Sequence, residues 1–238
     1  MTHPALTAGA YAMIPAAAVA AGAALAAFRP PGPFLRSATQ HFAAGVVFAA
    51  AAGELLPDIM HRGSPGGVLV GFALGTALML ALKWFTDRLE ASGSGGATGL
   101  TATIGIDLLI DGIVIGIGFA AGAKQGILLT VALTIEVLFL GLSTASALVK
   151  AGAARGRVVG IPSALGLLLA GGAAAGAGLL GNLSGALMEG VLSFGLAALL
   201  YLVTEELLVE AHEEPQTPLI TAMFFAGFLL LCMIEMIA

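Results

Sequence analysis

The sequence predicts an all-α membrane protein with eight transmembrane helices in a single domain that covers residues 1–238. Three observations predict this class. Apolar residues make up 59% of the chain and charged residues only 10%, whereas a soluble domain has roughly 45–50% and 25%. The apolar residues fall into runs of about 20, the length that crosses a bilayer. The chain also has 34 glycines, which allow membrane helices to approach each other closely.

Polar or Pro/Gly-rich breaks separate the apolar runs. The clearest are residues 29–33 (Arg-Pro-Pro-Gly-Pro), 63–66, the Gly/Ser stretch 91–96, and 213–215. Because residues 1–28 lack a basic leader, we interpret them as a first span rather than as a cleaved signal peptide. The predicted spans are residues 8–28, 34–60, 66–86, 99–122, 126–149, 158–180, 184–210 and 217–238.

The distribution of basic residues predicts the orientation. Of the 9 Lys and Arg, only Arg62 and Lys124 fall on the side to which both termini belong. An excess of basic residues marks the cytoplasmic side, so we expect a multi-pass protein of the cell membrane with both termini outside the cytoplasm. The net charge is -5 and the basic residues form no continuous stripe. This distribution argues against nucleic acid as a partner. The single Cys232 excludes an internal disulfide.

The fourth span carries two carboxylates, Asp107 and Asp111, at a spacing that places them on one helix face. An ionised carboxylate at the bilayer centre costs at least about 2.5–3.5 kcal/mol, so the pair invites a bound cation or a shared proton. Glu136 lies near the middle of the fifth span. If these spans are neighbours, the three side chains form a cation site of hard oxygen ligands at mid-depth. The alternative is that they are protonated, hydrogen-bonded packing residues.

Glycines would permit the close approach of the fourth and fifth spans that such a site needs. Those that we expect at this contact are Gly112, Gly116, Gly118 and Gly141.

Acidic and histidine side chains near the ends of the second and seventh spans suggest the mouths of a pathway. A faint repeat joins the two spans, because residues 54–58 (Glu-Leu-Leu-Pro-Asp) resemble residues 206–210 (Glu-Leu-Leu-Val-Glu). The two spans run in opposite directions, and inverted repeats are typical of transporters. The alternative is that these side chains are solvated helix ends, or, for His41, a helix contact. The candidate pathway residues are His41, Glu54, Asp58, His61, Glu205, Glu206, Glu210 and His212.

Three segments give the chain a resemblance to the ZIP family of divalent-metal transporters. Residues 107–119 match the family's fourth helix in Asp111-Gly112, Ile115-Gly116 and Phe119. Residues 42–57 look like its second helix, and residues 201–212 look like its seventh. The resemblance implies eight spans with both ends outside, an inverted repeat that relates helices 1–3 to helices 6–8, and a metal site between the fourth and fifth helices.

The chain departs from the family pattern at several ligand positions. Asp107 and Leu108 stand where the family has His and Asn, and Phe139 and Leu140 stand where the fifth helix has Pro and an acidic ligand. With Glu136 at the first ligand position of that helix, the expected site is a single, all-carboxylate one made of Asp107, Asp111 and Glu136.

These observations predict a secondary transporter that moves a divalent metal ion of the zinc, manganese, iron or cadmium class from outside to the cytoplasm. The sequence contains no ATP-binding loop, so gradients would drive transport. An enzyme is not expected, because a metal-dependent membrane hydrolase needs several His ligands and only His41 lies within a span. The remaining alternative is a ZIP-like protein that has lost metal transport and moves another cation or acts as a sensor. The expected partners are lipids, the ion as substrate and, as a candidate assembly, a second copy of the chain, with no permanently bound cofactor.

Overall fold

The computed structural model describes residues 4–62, 64–89 and 97–237. These residues form helices and no strands. Eight of the helices among them are long and apolar enough to cross a membrane, so the prediction of a multi-pass, all-α membrane protein is confirmed. The predicted Gly/Ser break at residues 91–96 and Gly63 lie outside the described residues. We label the spanning helices α1 Pro4–Phe28, α2 Pro33–His61, α3 Pro65–Arg88, α4 Thr101–Ala121, α5 Ala123–Lys150, α6 Arg155–Leu180, α7 Ala186–Ala211 and α8 Pro218–Ile237.

The helix boundaries follow local chemistry. α2 begins at Pro33, with Gly32 in an extended conformation before it. Proline suits the first turn of a helix, where its missing N–H has no intrahelical partner to lose. Between α4 and α5 the chain leaves the helical conformation at only one residue, Gly122, which is extended. α4 and α5 are therefore a tight antiparallel hairpin, and the predicted start of α5 at residue 126 was three residues late.

The outer surface of the bundle is apolar, as a lipid environment requires. Large side chains such as Leu6, Leu69, Phe225 and Ile237 are more than 60% exposed. Exposed apolar surface on this scale is unusual for a soluble monomer. The α3 and α8 helices are the least buried of the eight spans described, and they flank the bundle.

The helices pack as a group of four with two further pairs. α1, α4, α5 and α6 contact one another, while α8 packs on α2 and α3 packs on α7. We call the end of the bundle at which α2 begins and α7 ends the basic end, since seven of the nine Lys and Arg belong to it. We call the other the opposite end.

The glycines that we expected between α4 and α5 mostly serve other contacts, so that prediction was wrong for three of four. A Cβ on Gly112 would overlap the backbone of Leu169 in α6, and one on Gly116 would meet α6 in the same way. Gly141 packs against Val19 of α1. Only Gly118 lies at the α4–α5 contact, next to Leu129. A glycine that we did not single out, Gly126 of α5, also lies at this contact, where it packs against Phe119 of α4.

Two helices contain a π-helical segment that the sequence did not predict. α2 changes to π geometry at Ala51–Leu55, and α7 changes at Leu202–Leu207. The backbone N–H groups that close these segments bond to carbonyls five residues earlier. Such segments are rare and occur frequently at functional sites. Both contain membrane carboxylates, Glu54 in α2 and Glu205 and Glu206 in α7.

Candidate functional site

Three carboxylates meet in the middle of the α4–α5 hairpin. One carboxylate oxygen from each of Asp107, Asp111 and Glu136 lies within 4.8 Å of the others. The hairpin explains the convergence, because at about 1.5 Å per residue Asp111 is about 16–17 Å from Gly122, and Glu136 and Asp107 are about 21–23 Å from it. The predicted proximity of these three side chains is therefore confirmed.

Asp111 and Glu136 of the cluster are buried and Asp107 is partly buried, and among the described residues no ion pair with a base balances the charge of the cluster. Asp111 is 2% exposed and Glu136 is 1% exposed. Ion pairs among the described residues join Arg36 to Glu213 and Lys83 to Glu205, and neither pair includes a cluster residue. Carboxylates in such a place can all be ionised only if a cation offsets their repulsion; without one, at least one of them is protonated.

Two oxygens of the cluster lack any hydrogen-bond partner. They are Oδ2 of Asp111 and Oε2 of Glu136, and both are buried. The carboxyl groups of Asp111 and Glu136 also approach each other closely. Buried polar atoms without a partner are few in native proteins, and an ion is one of the explanations for them. Oxygens that bind one ion at about 2.0–2.6 Å lie no more than about 5 Å apart, so one ion can reach all three side chains.

A fourth carboxylate joins the cluster from α7. Glu206 forms a hydrogen bond with Asp107. A cavity of about 40 Å³ extends from Asp107 and Glu136 to Glu206 and Glu210. A water-sized occupant needs roughly 10–15 Å³, so the cavity has room for an ion together with water. Gln40 and Ser143 also line it, and sequence reasoning assigned neither of them a role.

At the basic end, polar contacts join the first turns of α2 to the last turns of α7. The Arg36 guanidinium donates to Glu213 at 3.0 Å, and the Ser37 hydroxyl donates to the Ala211 carbonyl at 2.7 Å. Gln40 Nε2 donates to the Glu210 carboxylate. We refer to this set of contacts, together with His41 and His212, as the α2–α7 seam. The seam adjoins the cavity on the side that faces the basic end, where Gln40 and Glu210 belong to both.

The other predicted pathway residues lie apart from the central cluster. Glu54 is 6% exposed and forms a hydrogen bond with Glu235 of α8, an acidic residue for which the sequence suggested no role. Asp58 is half-buried near Glu54. His61 is exposed, with Nδ1 2.6 Å from the Pro57 carbonyl oxygen. These residues lie toward the opposite end.

Glu205 and Glu206 are adjacent in sequence but face different surroundings. Glu205 is exposed and lies 3.6 Å from Lys83 of α3, whereas Glu206 faces the central cavity. Of this pair, only Glu206 is placed to contact an ion in the cluster.

Comparison with protein-family models and with curated proteins finds no match to this chain.

Proposed function

We propose that this protein is a secondary transporter of divalent metal cations, and that Asp107, Asp111, Glu136 and Glu206 bind the ion in mid-passage. The observation that supports it most directly is the meeting of carboxylates from α4, α5 and α7. Asp107, Glu136 and Glu206 line one small cavity, and beside it buried oxygens of Asp111 and Glu136 have no hydrogen-bond partner. Charged residues inside a membrane bundle usually mark an ion pathway.

The donor set favours ions that accept carboxylate oxygen. Among the described residues, the cluster contains no imidazole or thiolate, so Mn²⁺ and Fe²⁺ should compete with Zn²⁺ and Cd²⁺ better here than at a His-containing site. Zn²⁺ still has the greater intrinsic affinity in the Irving–Williams order. We therefore propose broad selectivity within the divalent class.

We propose that transport runs from outside into the cytoplasm, with the orientation that the charge distribution supports. The basic end is proposed to face the cytoplasm, and the cavity extends from the cluster toward Glu206 and Glu210 at that end. Release into the cytoplasm would thus pass Gln40 and Glu210. On the opposite side, Glu54 and Asp58 are proposed to attract ions to the entrance.

An inverted repeat of α1–α3 and α6–α8 is proposed to underlie alternating access. Both α2 and α7 contain a π-helical segment, and both segments carry a glutamate within the matching sequences 54–58 and 206–210. The resemblance of the chain to the ZIP family supports the same proposal.

A second candidate is a protein that moves protons or another cation rather than a divalent metal. The close approach of Asp107 to Glu206 and of Asp111 to Glu136 supports it, because two neighbouring carboxyl groups can share a proton instead of a metal ion. In this case the cluster would hold protons where the first proposal places a metal ion.

The experiment that separates the two is ion flux into liposomes that contain the purified protein. Mn²⁺ or Zn²⁺ entry is followed with a trapped metal-sensitive dye, and proton entry with a trapped pH dye, in separate samples. Metal entry that Asp111→Asn abolishes supports the metal transporter. Proton flux without metal entry supports the second candidate. If neither metal ions nor protons enter the liposomes, both candidates are contradicted.

A further inference from the structure

The α2–α7 seam brings two histidines together at the basic end. His41 on α2 is 2% exposed, and its ring centre lies 5.1 Å from that of His212 at the end of α7, with an interplanar angle of 52°. Neither ring lines the central cavity. His212 instead lines a separate, open pocket on the surface of α7 together with Glu213.

Both rings have the same hydrogen-bonding arrangement at Nδ1. His41 Nδ1 is 3.0 Å from the Ser37 carbonyl oxygen, and His212 Nδ1 is 2.5 Å from the Leu208 carbonyl oxygen. A carbonyl oxygen only accepts, so each Nδ1 carries the proton and donates it. In the neutral ring, Nε2 then keeps a free lone pair. Metal-binding histidines are commonly oriented in this way, with the other ring nitrogen bonded to a backbone carbonyl.

The separation of the rings matches that of two ligands on one metal ion. At metal–nitrogen distances of about 2.0–2.1 Å and a tetrahedral angle, the centres of two ligating imidazoles lie about 5 Å apart. Two free Nε2 lone pairs cannot hydrogen-bond to each other, but a cation can join them.

We propose that His41 and His212 form a second metal-binding site, separate from the carboxylate cluster, for divalent ions that prefer imidazole, such as Zn²⁺, Co²⁺ and Ni²⁺. No third acidic, thiol or imidazole group joins these two rings in the part of the chain that the structure describes, so water completes the coordination. Glu213, the nearest acidic neighbour along the chain, is held by Arg36. An ion reaches this site through the open pocket at His212. Binding ties the start of α2 to the end of α7.

The test uses full-length protein without a polyhistidine tag. In the triple variant Asp107→Asn, Asp111→Asn, Glu136→Gln the central cluster is removed, and Zn²⁺ binding is then measured by calorimetry and by X-ray absorption at the zinc edge. We expect one Zn²⁺ per chain to remain, with scattering from two imidazoles. Adding His41→Gln or His212→Gln should weaken binding at least tenfold and remove the two-imidazole signature.

His61→Gln is the matched control. His61 has the same contact from Nδ1 to a carbonyl four residues earlier, yet among the described residues no second histidine ring pairs with it, so its replacement should leave Zn²⁺ binding unchanged. Loss of all Zn²⁺ binding in the triple variant, or binding that survives His41→Gln and His212→Gln, overturns this site.

If the triple variant does not fold, the titration is repeated on the wild type with Mn²⁺ in large excess over Zn²⁺, so that Mn²⁺ outcompetes Zn²⁺ for the carboxylates. The His41→Gln and His212→Gln variants must then each remove one Zn²⁺ per chain, and an unchanged Zn²⁺ count overturns the site. Because Zn²⁺ binding is measured without transport, failure of this site leaves the proposal for the central cluster to its own flux experiment.

Discussion

The carboxyl group of Asp107 on α4 is hydrogen-bonded to that of Glu206 in the π-helical segment of α7. This bond links the α4–α5 hairpin to a helix from a distant part of the chain. The extra residue that a π segment inserts rotates the following side chains around the helix axis. Adjacent residues of a helix point about 100° apart, so Glu206 faces the cavity while Glu205 faces Lys83.

Replacement of Asp111 by Asn should abolish metal transport without preventing folding. The amide has nearly the same shape, and it removes a charge that is costly in the membrane, so insertion and thermal stability should be retained or improved. Metal affinity should fall at least about tenfold, since outer-shell changes alone cost roughly 10–100-fold. Liposome uptake and calorimetry measure the two effects. Uptake at the wild-type rate would show that Asp111 is a packing residue.

The pair Glu205 and Glu206 offers a matched comparison on one helix. Glu206→Gln should weaken divalent-metal binding by roughly 10–100-fold, because the side chain contacts Asp107. Glu205→Gln changes the same chemistry on the next residue but removes only an exposed contact with Lys83, which is worth about 0–1 kcal/mol. Calorimetric titration of both variants with Mn²⁺ is the measurement. Equal losses in the two variants would contradict the placement of Glu206 at the site.

Replacement of Asp107 by His should shift the ion preference. An imidazole in place of one carboxylate favours Zn²⁺ and Cd²⁺ over Mn²⁺, so the ratio of Zn²⁺ to Mn²⁺ affinity should rise. The same titrations in buffers of different protonation enthalpy should show protons leaving the wild-type site as metal binds, because the two compete for the same oxygens. Binding should therefore weaken as the pH falls. An unchanged ratio in Asp107→His would argue against direct coordination.

The orientation can be tested by labelling single cysteines from outside intact cells after Cys232 has been replaced by Ala. We expect a cysteine at Arg155→Cys to be protected and one at Thr2→Cys to react, because the basic end should face the cytoplasm. Disruption of the membrane should make both accessible, which controls for burial within the protein. The reverse pattern in intact cells would invert the proposed direction of transport.

Gly45 should tolerate no side chain at the contact between α2 and α8. A Cβ there would overlap the Phe224 carbonyl, just as one on Gly227 would overlap that of Phe42. Gly45→Ala should therefore destabilise the protein by about 1–3 kcal/mol. Gly171→Ala is the control, because nothing lies within 4 Å of the added atom and alanine favours the helix by up to about 1 kcal/mol. Thermal unfolding in detergent compares them, and equal midpoints would show that the α2–α8 contact adjusts freely.

Hydrophobic run lengths and breaks were sufficient to predict the eight helices, because lipid leaves the backbone few alternatives to a helix. The meeting of Asp107, Asp111 and Glu136 was also predictable, since α4 and α5 are consecutive and their acidic residues lie at similar distances from the turn. These properties depend on short stretches of sequence.

What could not be predicted depends on contacts between distant segments. Gly112 and Gly141 proved to face α6 and α1, because a small residue indicates a close neighbour without saying which helix supplies it. The π segments have no distinctive composition, so the different surroundings of Glu205 and Glu206 were not visible in the sequence. The pairing of Glu54 with Glu235 joins residues that are far apart in the chain, and only the packing of α8 on α2 brings them together.

The single-residue turn at Gly122 has a consequence for how tightly an ion would be held at different stages of passage. Asp107, Asp111 and Glu136 belong to one stiff hairpin, so their mutual geometry survives any displacement of that hairpin within the bundle. Glu206 belongs to α7 and does not travel with them. If the hairpin slides past α7 during transport, the three proposed ligands on the hairpin stay together and only the contact with Glu206 is gained or lost. We therefore expect Glu206 to distinguish a state that holds the ion tightly from one that releases it readily.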